Sequence, residues 1–237
     1  MTVATEPGIG TAALWRLLSL GFTAPTEETL AEMCVLAEAL AELPDAAPEL
    51  AELVSELHST KVERLSAVYQ GLHGGKVQVP PYEGSYELDP IRQGRQMADI
   101  AAFYRAFGAE AHGPAAERPD HVGCELEFLA FLELRRLAAV EEGDETGAEI
   151  VDEITTTFLG DHAGRWLPGF FATLYEAAAH SPVHRALAVL GAGALESELV
   201  RRGIEPAPLP RSHARLAVEA DTLECGAADS GTGLLGR

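Results

Sequence analysis

Two Asp-His pairs are the side chains best placed by type to do chemistry: Asp120-His121 in "ERPDHVGCELEFLAFLELRRL" and Asp161-His162 in "FLGDHAGRWLPGFF". Glu125 follows His121 at i, i+4, a spacing that sets an imidazole and a carboxylate on one helical face and from which a metal site can start. If the fold brought both pairs together, the four donors would suit a helical metal-dependent hydrolase. The set is incomplete for that chemistry. A helix-borne metalloprotease needs histidines at both ends of HExxH, and helical phosphohydrolases need further histidines from other helices. No Ser-His-Asp order, GxSxG elbow, P-loop or GxGxxG occurs, and Gly74-Gly75 reads as a loop. A structural account covers the same residues. Asp120 stands where an N-cap would sit, its carboxylate accepting backbone N–H groups for about 1 kcal/mol, with His121 as an ordinary first-turn residue. Asp161 precedes a helix-like segment in the same way. The residues therefore predict no catalytic group and no metal.

The other chemistry-bearing stretch is "HGGKVQVPPYEGSYELDP", residues 73–90. Pro80 and Pro81 bar helix and favour extended backbone, and Tyr82 and Tyr86 place flat amphipathic rings on a long connection between helices. Long ordered loops in compact domains often carry function, and exposed aromatics on them commonly hold a peptide or a partner. The alternative is that both rings fold back onto the core.

The elements that must position these groups are helical. Leu14, Leu17 and Leu18 form a stripe closed by Gly21, and Thr26 caps a second helix with acids in its first turn and Leu30, Met33, Ala37 and Leu40 on one face. A third helix is predicted from Pro48 as far as Leu72. Asp89-Pro90 reads as a cap with proline at the first helical position, opening a helix with Met97, Ile100, Phe103, Tyr104 and Phe107 that Gly108 ends. The helix after Asp120 leaves little of its circumference polar, which predicts the buried centre of a bundle. Ile150, Val151, Ile154 and Phe158 make another stripe, with a break expected at "LGDHAGRW". Two more helices follow, one through Phe170, Leu174 and Tyr175 and one from Ser181-Pro182 to Arg202, with Gly203 as C-cap. With no β-alternation and no repeat, the class is all-α, a single-domain helical bundle of about eight or nine helices. The expected domain spans 11–203, between a flexible N-terminus at 1–10 and a mostly disordered tail at 204–237.

Composition narrows the function. The 237 residues, 47% of them hydrophobic, can bury a proper core. Seventeen basic against 37 acidic residues give a formal charge of −20, which repels nucleic acid and anionic membrane surfaces and suits a basic peptide or protein partner. Cys34, Cys124 and Cys225 are widely spaced, which points to a reducing, cytoplasmic compartment rather than a disulfide framework. Cys34 and Cys124 read as small core residues. The N-terminus lacks a basic region before its apolar stretch, and no run reaches the roughly 18 apolar residues of a membrane span.

In their order on an all-helical chain, "PPYEGSY", "ERPDHVGCELEFLAFL" and "FLGDHAGRWLPGFF" resemble the TorD/DmsD/NarJ family of molybdoenzyme-specific chaperones, over roughly residues 11–203. The PPYE form and the ELEFL helix look most like the branch serving DMSO reductase family type II enzymes. The resemblance implies a non-enzymatic cytoplasmic chaperone that binds the apo catalytic subunit of a molybdopterin oxidoreductase, often at its twin-arginine signal peptide. It would assist cofactor insertion and assembly before export, without stable membrane association. It implies client contacts at Tyr82, Glu83, Tyr86, Pro119, Asp120 and His121, facing a shared groove, and structural roles for Glu125, Glu127, Asp161, His162 and Trp166. No resident cofactor is implied, and contact with a guanine nucleotide or molybdopterin guanine dinucleotide stays open. Some relatives form domain-swapped dimers, which makes "HGPAAERPDH" a candidate hinge and leaves monomer or dimer open. Two departures from the family pattern stand out: Gly84 where relatives tend to have Ser, and His73 where they have an aromatic.

Overall fold

Residues 8–109 and 117–210 are described in the computed structural model, and all regular elements among them are helical. The first helix, α1 (Ile9–Gly21), buries Trp15, Leu17 and Leu18. At the start of α2 (Glu27–Ala41), Thr26 and Thr29 cap each other: the Thr29 amide donates to Thr26 Oγ1 at 3.1 Å and the Thr26 amide to Thr29 Oγ1 at 2.8 Å. This satisfies two of the amides that a helix start leaves unpaired.

The single helix expected from Pro48 to Leu72 is two, α3 (Pro48–Ser59) and α4 (Val62–His73). Thr60 and Lys61 between them are extended, with ψ of 136° and 151°. The cause is written in the apolar stripe, which steps from Leu57 to Val62 instead of to position 60 or 61. A straight helix would have carried Val62 off the buried face.

Asp89 caps α5 (Pro90–Ala106) as expected, accepting from the Ile91 amide at 2.9 Å. The central helix α6 (Val122–Glu142) is buried only over its first half. Beyond Glu133 it reaches the surface, with Leu134 and Val140 exposed. It lies against α1 on one side and α7 (Glu145–Phe158) on the other. The break expected after Phe158 is instead one wide helical turn, Leu159–Ala163, that runs on into α8 (Gly164–Ala177). Such a π-type turn adds a residue without stopping the helix and turns the following side chains. It leaves Asp161 exposed and carries His162, Ala163 and Trp166 inward, so neither Asp161 nor His162 caps a helix.

The last helix, α9 (Pro182–Arg202), packs on α8 and α3 and ends at Gly203, whose φ of 64° suits glycine. Glycine also matters at Gly191, where an added Cβ would lie 2.5 Å from the Phe171 ring, so its absence lets α8 and α9 close up. Phe22 joins α1 to this pair, its ring 5.2 Å from Phe170 and 6.1 Å from Phe171. A second aromatic knot ties α5, α6 and α7 together: Phe158 lies 5.5 Å from Phe103 and 5.1 Å from Phe128.

The first residues of the expected tail are part of the domain. The Leu209 amide donates to Arg165 O at 2.8 Å, Arg165 Nε donates to Ala207 O at 3.1 Å, and Ile204 and Leu209 rest on the core. Of the expected flexible N-terminus at 1–10, Ile9 and Gly10 already belong to α1, while residues 1–7, hinge residues 112–116 and the tail from 211 lie outside the described residues. Among those described, no helix is long and apolar enough to cross a membrane.

Truncating the fully buried Phe158 to Ala should lower stability by about 3–5 kcal/mol, since it empties the centre of the second knot. Urea denaturation checks this, and a loss below about 1 kcal/mol would contradict that packing.

Candidate functional site

Pro80 and Pro81 hold their segment extended, and that segment finds a partner in the residues just before α6. The Val122 amide donates to Pro81 O at 2.8 Å and the Glu83 amide to Asp120 O at 2.9 Å, pairing Tyr82 with His121 in an isolated antiparallel bridge. The two motifs are thus stitched to each other by backbone.

Asp120 fastens the stitch from its side chain. It is buried, and Arg118 Nε and Nη2 donate to its two oxygens at 2.9 and 2.7 Å, while the Gly84 amide donates to Oδ2 at 3.2 Å. A Cβ on Gly84 would press to 3.1 Å from that oxygen, so glycine suits the close approach here. With its carboxylate engaged, Asp120 is not the N-cap. That place falls to His121, whose backbone the bridge holds extended and whose Nδ1 accepts from the Gly123 amide at 3.1 Å. Accepting at Nδ1 leaves the proton of a neutral ring on Nε2, which is buried without a hydrogen-bond partner among the described residues. Burial lowers the His121 pKa to about 4.

Beneath the stitch lies a buried polar node that gathers all three motif segments. Glu83 opens a short helical turn, Glu83–Tyr86, and is completely buried, with Oε2 3.2 Å from His162 Nδ1. The other ring nitrogen of His162 is 3.3 Å from the Asp99 carboxylate of α5. Glu125, also completely buried, accepts from Trp166 Nε1 at 2.9 Å. Tyr86 lies in the core with its ring 5.2 Å from Trp166 and its hydroxyl donating to Pro80 O at 3.1 Å. Burial, and then the neighbouring Glu83 carboxylate, raise the Glu125 pKa well above the usual carboxylate range, against the opposing pull of the Trp166 N–H. A protonated Glu125 is the form this environment favours.

What faces outward is smaller than expected. Tyr82 is half-buried; its hydroxyl donates to Glu117 Oε1 at 3.1 Å, and the Arg118 guanidinium sits 4.5 Å above its ring. Burial and the Glu117 contact push the Tyr82 phenol up to about 12, so it remains a donor. Beside it opens a cleft of about 440 Å³ lined by His73, Val77, Pro80, Pro81, Tyr82, Ser85 and Gln93. Its lining is mostly apolar and carries no carboxylate.

The expected groove-facing set therefore divides. Tyr82 and Pro119 reach the surface, whereas Glu83, Tyr86, Asp120 and His121 are buried and hold the surface in place. Pro119 also takes the Tyr104 hydroxyl on its carbonyl at 2.8 Å, which fixes α5 to the entry of α6. The residues expected to be structural divide too. Glu125, His162 and Trp166 form the node, Glu127 makes an exposed ion pair with Arg16 at 2.7 Å, and Asp161 takes no part. Sequence reasoning missed Asp99 and Gln93, which sat unremarked in an ordinary amphipathic helix, and read Tyr104 only as part of that helix's apolar face. It also passed over Glu117 and Arg118, although both stand in the quoted motif.

The hydrolase alternative finds no support in this geometry. The Asp120 oxygens are occupied, Asp161 points away from His162, and no group of three or more His, Cys, Asp or Glu able to hold a metal occurs among the described residues. Cys34 and Cys124 are free thiols, and burial pushes Cys124 up to about 12, as befits inert packing residues. Cys225 lies outside the described residues.

Two pH effects of opposite sign follow. A folded-state pKa raised at Glu125 gives stability that is complete below its unfolded value of about 4.3 and fades as pH rises through the folded value. Glu125→Gln keeps an acceptor for Trp166 and cannot ionise, so its stability relative to the parent should rise between pH 4.5 and 7.5 in urea melts. A constant difference would contradict a raised Glu125. His121 acts in reverse: its stabilisation is present above about 6.5 and is lost as pH falls towards about 4. His121→Asn, which keeps a capping oxygen, should flatten the acid limb over that window. An unchanged acid limb would contradict a buried neutral imidazole.

With the geometry in view, comparison with known proteins identifies the family. A protein of Thauera selenatis named selenate reductase assembly chaperone protein is 40% identical over 114 residues, 48% of this chain and 56% of that protein. A chlorate reductase assembly chaperone protein of Ideonella dechloratans is 36% identical over 111 residues, 46% of this chain and 56% of that one. The chain thus spans just over half the length of these curated relatives. A crystal structure from Archaeoglobus fulgidus, assigned only provisionally as a redox enzyme maturation protein, is 25% identical and covers 62% of this chain and 93% of that one. Its TM-score of 0.43 is too low for the likeness to carry an argument. The family described as nitrate reductase delta subunit matches residues 36–172, a span holding all three motif segments. That match covers more than half of the chain, which therefore belongs to the nitrate reductase delta subunit family, in line with the TorD/DmsD/NarJ resemblance.

Proposed function

We propose that the protein is an assembly chaperone for the catalytic subunit of a molybdopterin oxidoreductase of the DMSO reductase family, in the type II branch. The observation that carries this reading is the match with relatives named for the assembly of selenate and chlorate reductases, on a chain whose motif residues form a scaffold around a cleft instead of a catalytic set. The chaperone acts in the cytoplasm on the apo subunit, holds it until the molybdopterin cofactor is inserted, and delays export meanwhile. It is not an enzyme, and the reading needs no cofactor resident in the chaperone.

The client contact lies at the rim formed by Tyr82 and Glu117 and in the cleft beside it. A twin-arginine signal peptide is cationic and then apolar. Its guanidinium groups would meet the exposed Glu117 carboxylate beside Tyr82, and its apolar stretch the walls of Val77, Pro80 and Pro81. Arg118 does not oppose this approach strongly, since Asp120 neutralises it at 2.7 Å. A charge of −20 speeds the encounter with a cationic peptide. Glu83, Asp120 and His121 act by holding the rim.

Calorimetry with the signal peptide of the client subunit tests the reading. Tyr82→Ala and Glu117→Gln should each weaken binding by about tenfold, or about 1.4 kcal/mol, with circular dichroism showing the fold retained, and with melting temperature nearly unchanged for the exposed Glu117. Absence of binding to the signal peptide and to the apo subunit alike would contradict it.

A further inference from the structure

A second surface, of opposite charge character, lies on the outer side of α5. Five of its residues recur at helical spacing and are exposed: Ile91, Arg95, Ala98, Ala102 and Arg105. The inward side rests on the domain through Ile100, with Phe103, Tyr104 and Phe107 half-buried. The helix carries three arginines against one carboxylate, in a chain whose net charge is −20. That one carboxylate, Asp99, is turned sideways to His162. Arg95 and Arg105 have no ion-pair or hydrogen-bond partner among the described residues.

The contrast with other helices is in the solvent face. The exposed positions of α2 carry Glu27, Glu28, Glu32 and Glu38, and those of α7 carry Glu145, Glu149 and Glu153. On α5 those positions hold alanines flanked by unpaired guanidinium groups. Large apolar side chains stand at one end, with Ile91 68% and Leu88 59% exposed. Short side chains at Ala98 and Ala102 let a second helix come close, since interaxial distance follows the side chains at the contact. The face runs for about 21 Å from Ile91 to Arg105, at 1.5 Å per residue, which is long enough to seat four helical turns.

We propose that this face docks an acidic amphipathic helix of the client's catalytic subunit, outside its signal peptide. The partner's apolar stripe would cover Ile91 and the alanines, and its flanking carboxylates would pair with Arg95 and Arg105. The identity of the partner rests on the chaperone reading; the chemistry of the seat does not. A cationic signal peptide cannot be the occupant, because both posts are positive. A second copy is disfavoured because it would bring together two bodies each carrying −20.

The test uses the full chain and two fluorescein-labelled designed helices of about 18 residues. One has Leu and Ala on one face flanked by Glu; the other has Gln at each Glu position. At 0.15 M salt, fluorescence anisotropy should give the Glu helix at least fivefold tighter binding than the Gln helix, against the sign of the chain's overall charge. The exposed double variant Arg95→Glu with Arg105→Glu should weaken the Glu helix at least tenfold while leaving circular dichroism and signal-peptide binding unchanged. Equal or tighter binding of the Gln helix, or an unchanged double variant, would overturn the proposal. So would a dimer of the parent, seen in sedimentation, that the double variant abolishes, for then a second copy is the occupant. Failure here leaves the signal-peptide reading untouched, since that reading is probed with a peptide of opposite charge at a different cleft.

Discussion

The contact between Glu83 and His162 is the constraint on which the site depends. A completely buried carboxylate is costly to desolvate unless it is bonded or neutralised, and here an imidazole 79 residues away meets it at 3.2 Å. Glu125 and Trp166 repeat the device one layer deeper, with the raised pKa of Glu125 relieving part of the charge. Because these polar groups must find one another, the extended Pro-Pro-Tyr segment, the entry to α6 and the wide turn after α7 are held in the one arrangement that joins Glu83 to His162 and Glu125 to Trp166. A purely apolar junction would have tolerated sliding; buried polar partners do not.

The three motif segments thus do at depth what they appeared suited to do at the surface. The chemistry-capable side chains, Asp120, His121, Glu83, Glu125 and His162, are consumed in internal bonds, the first two to backbone amides and the others to side chains. Asp120 takes up Arg118 and the Gly84 amide, and His121 caps α6. What they deliver outward is one half-buried tyrosine, an acid beside it and a cleft walled by proline. Rigid placement of a small aromatic rim lowers the ordering cost of binding a flexible peptide, which is what the proposed chaperone function asks of it.

Much of the fold was legible in the sequence because helix ends announce themselves locally. Thr26, Asp89-Pro90 and Gly203 each act where their chemistry predicts. The split between α3 and α4 was also legible, in the five-residue step from Leu57 to Val62, although the stripe on either side masks it. The site was not legible, for a physical reason. Whether an Asp-His pair caps a helix, binds a metal or anchors a loop depends on partners far along the chain. His162 finds Glu83, Trp166 finds Glu125, and Asp120 finds Gly84 across 36 residues. The turn that swings His162 inward leaves no local signature beyond Gly160 and Pro168, and nothing near Tyr86 says that its ring goes under Trp166.

Hydrogen exchange of the full chain, with and without the client's signal peptide, bears most directly on the claim that a buried scaffold presents the Tyr82 rim to a client. The account predicts added protection in segments 77–85 and 117–121, with α2 and α7 unchanged. Tight binding that protects other helices and leaves both of those segments exchanging as before would contradict it.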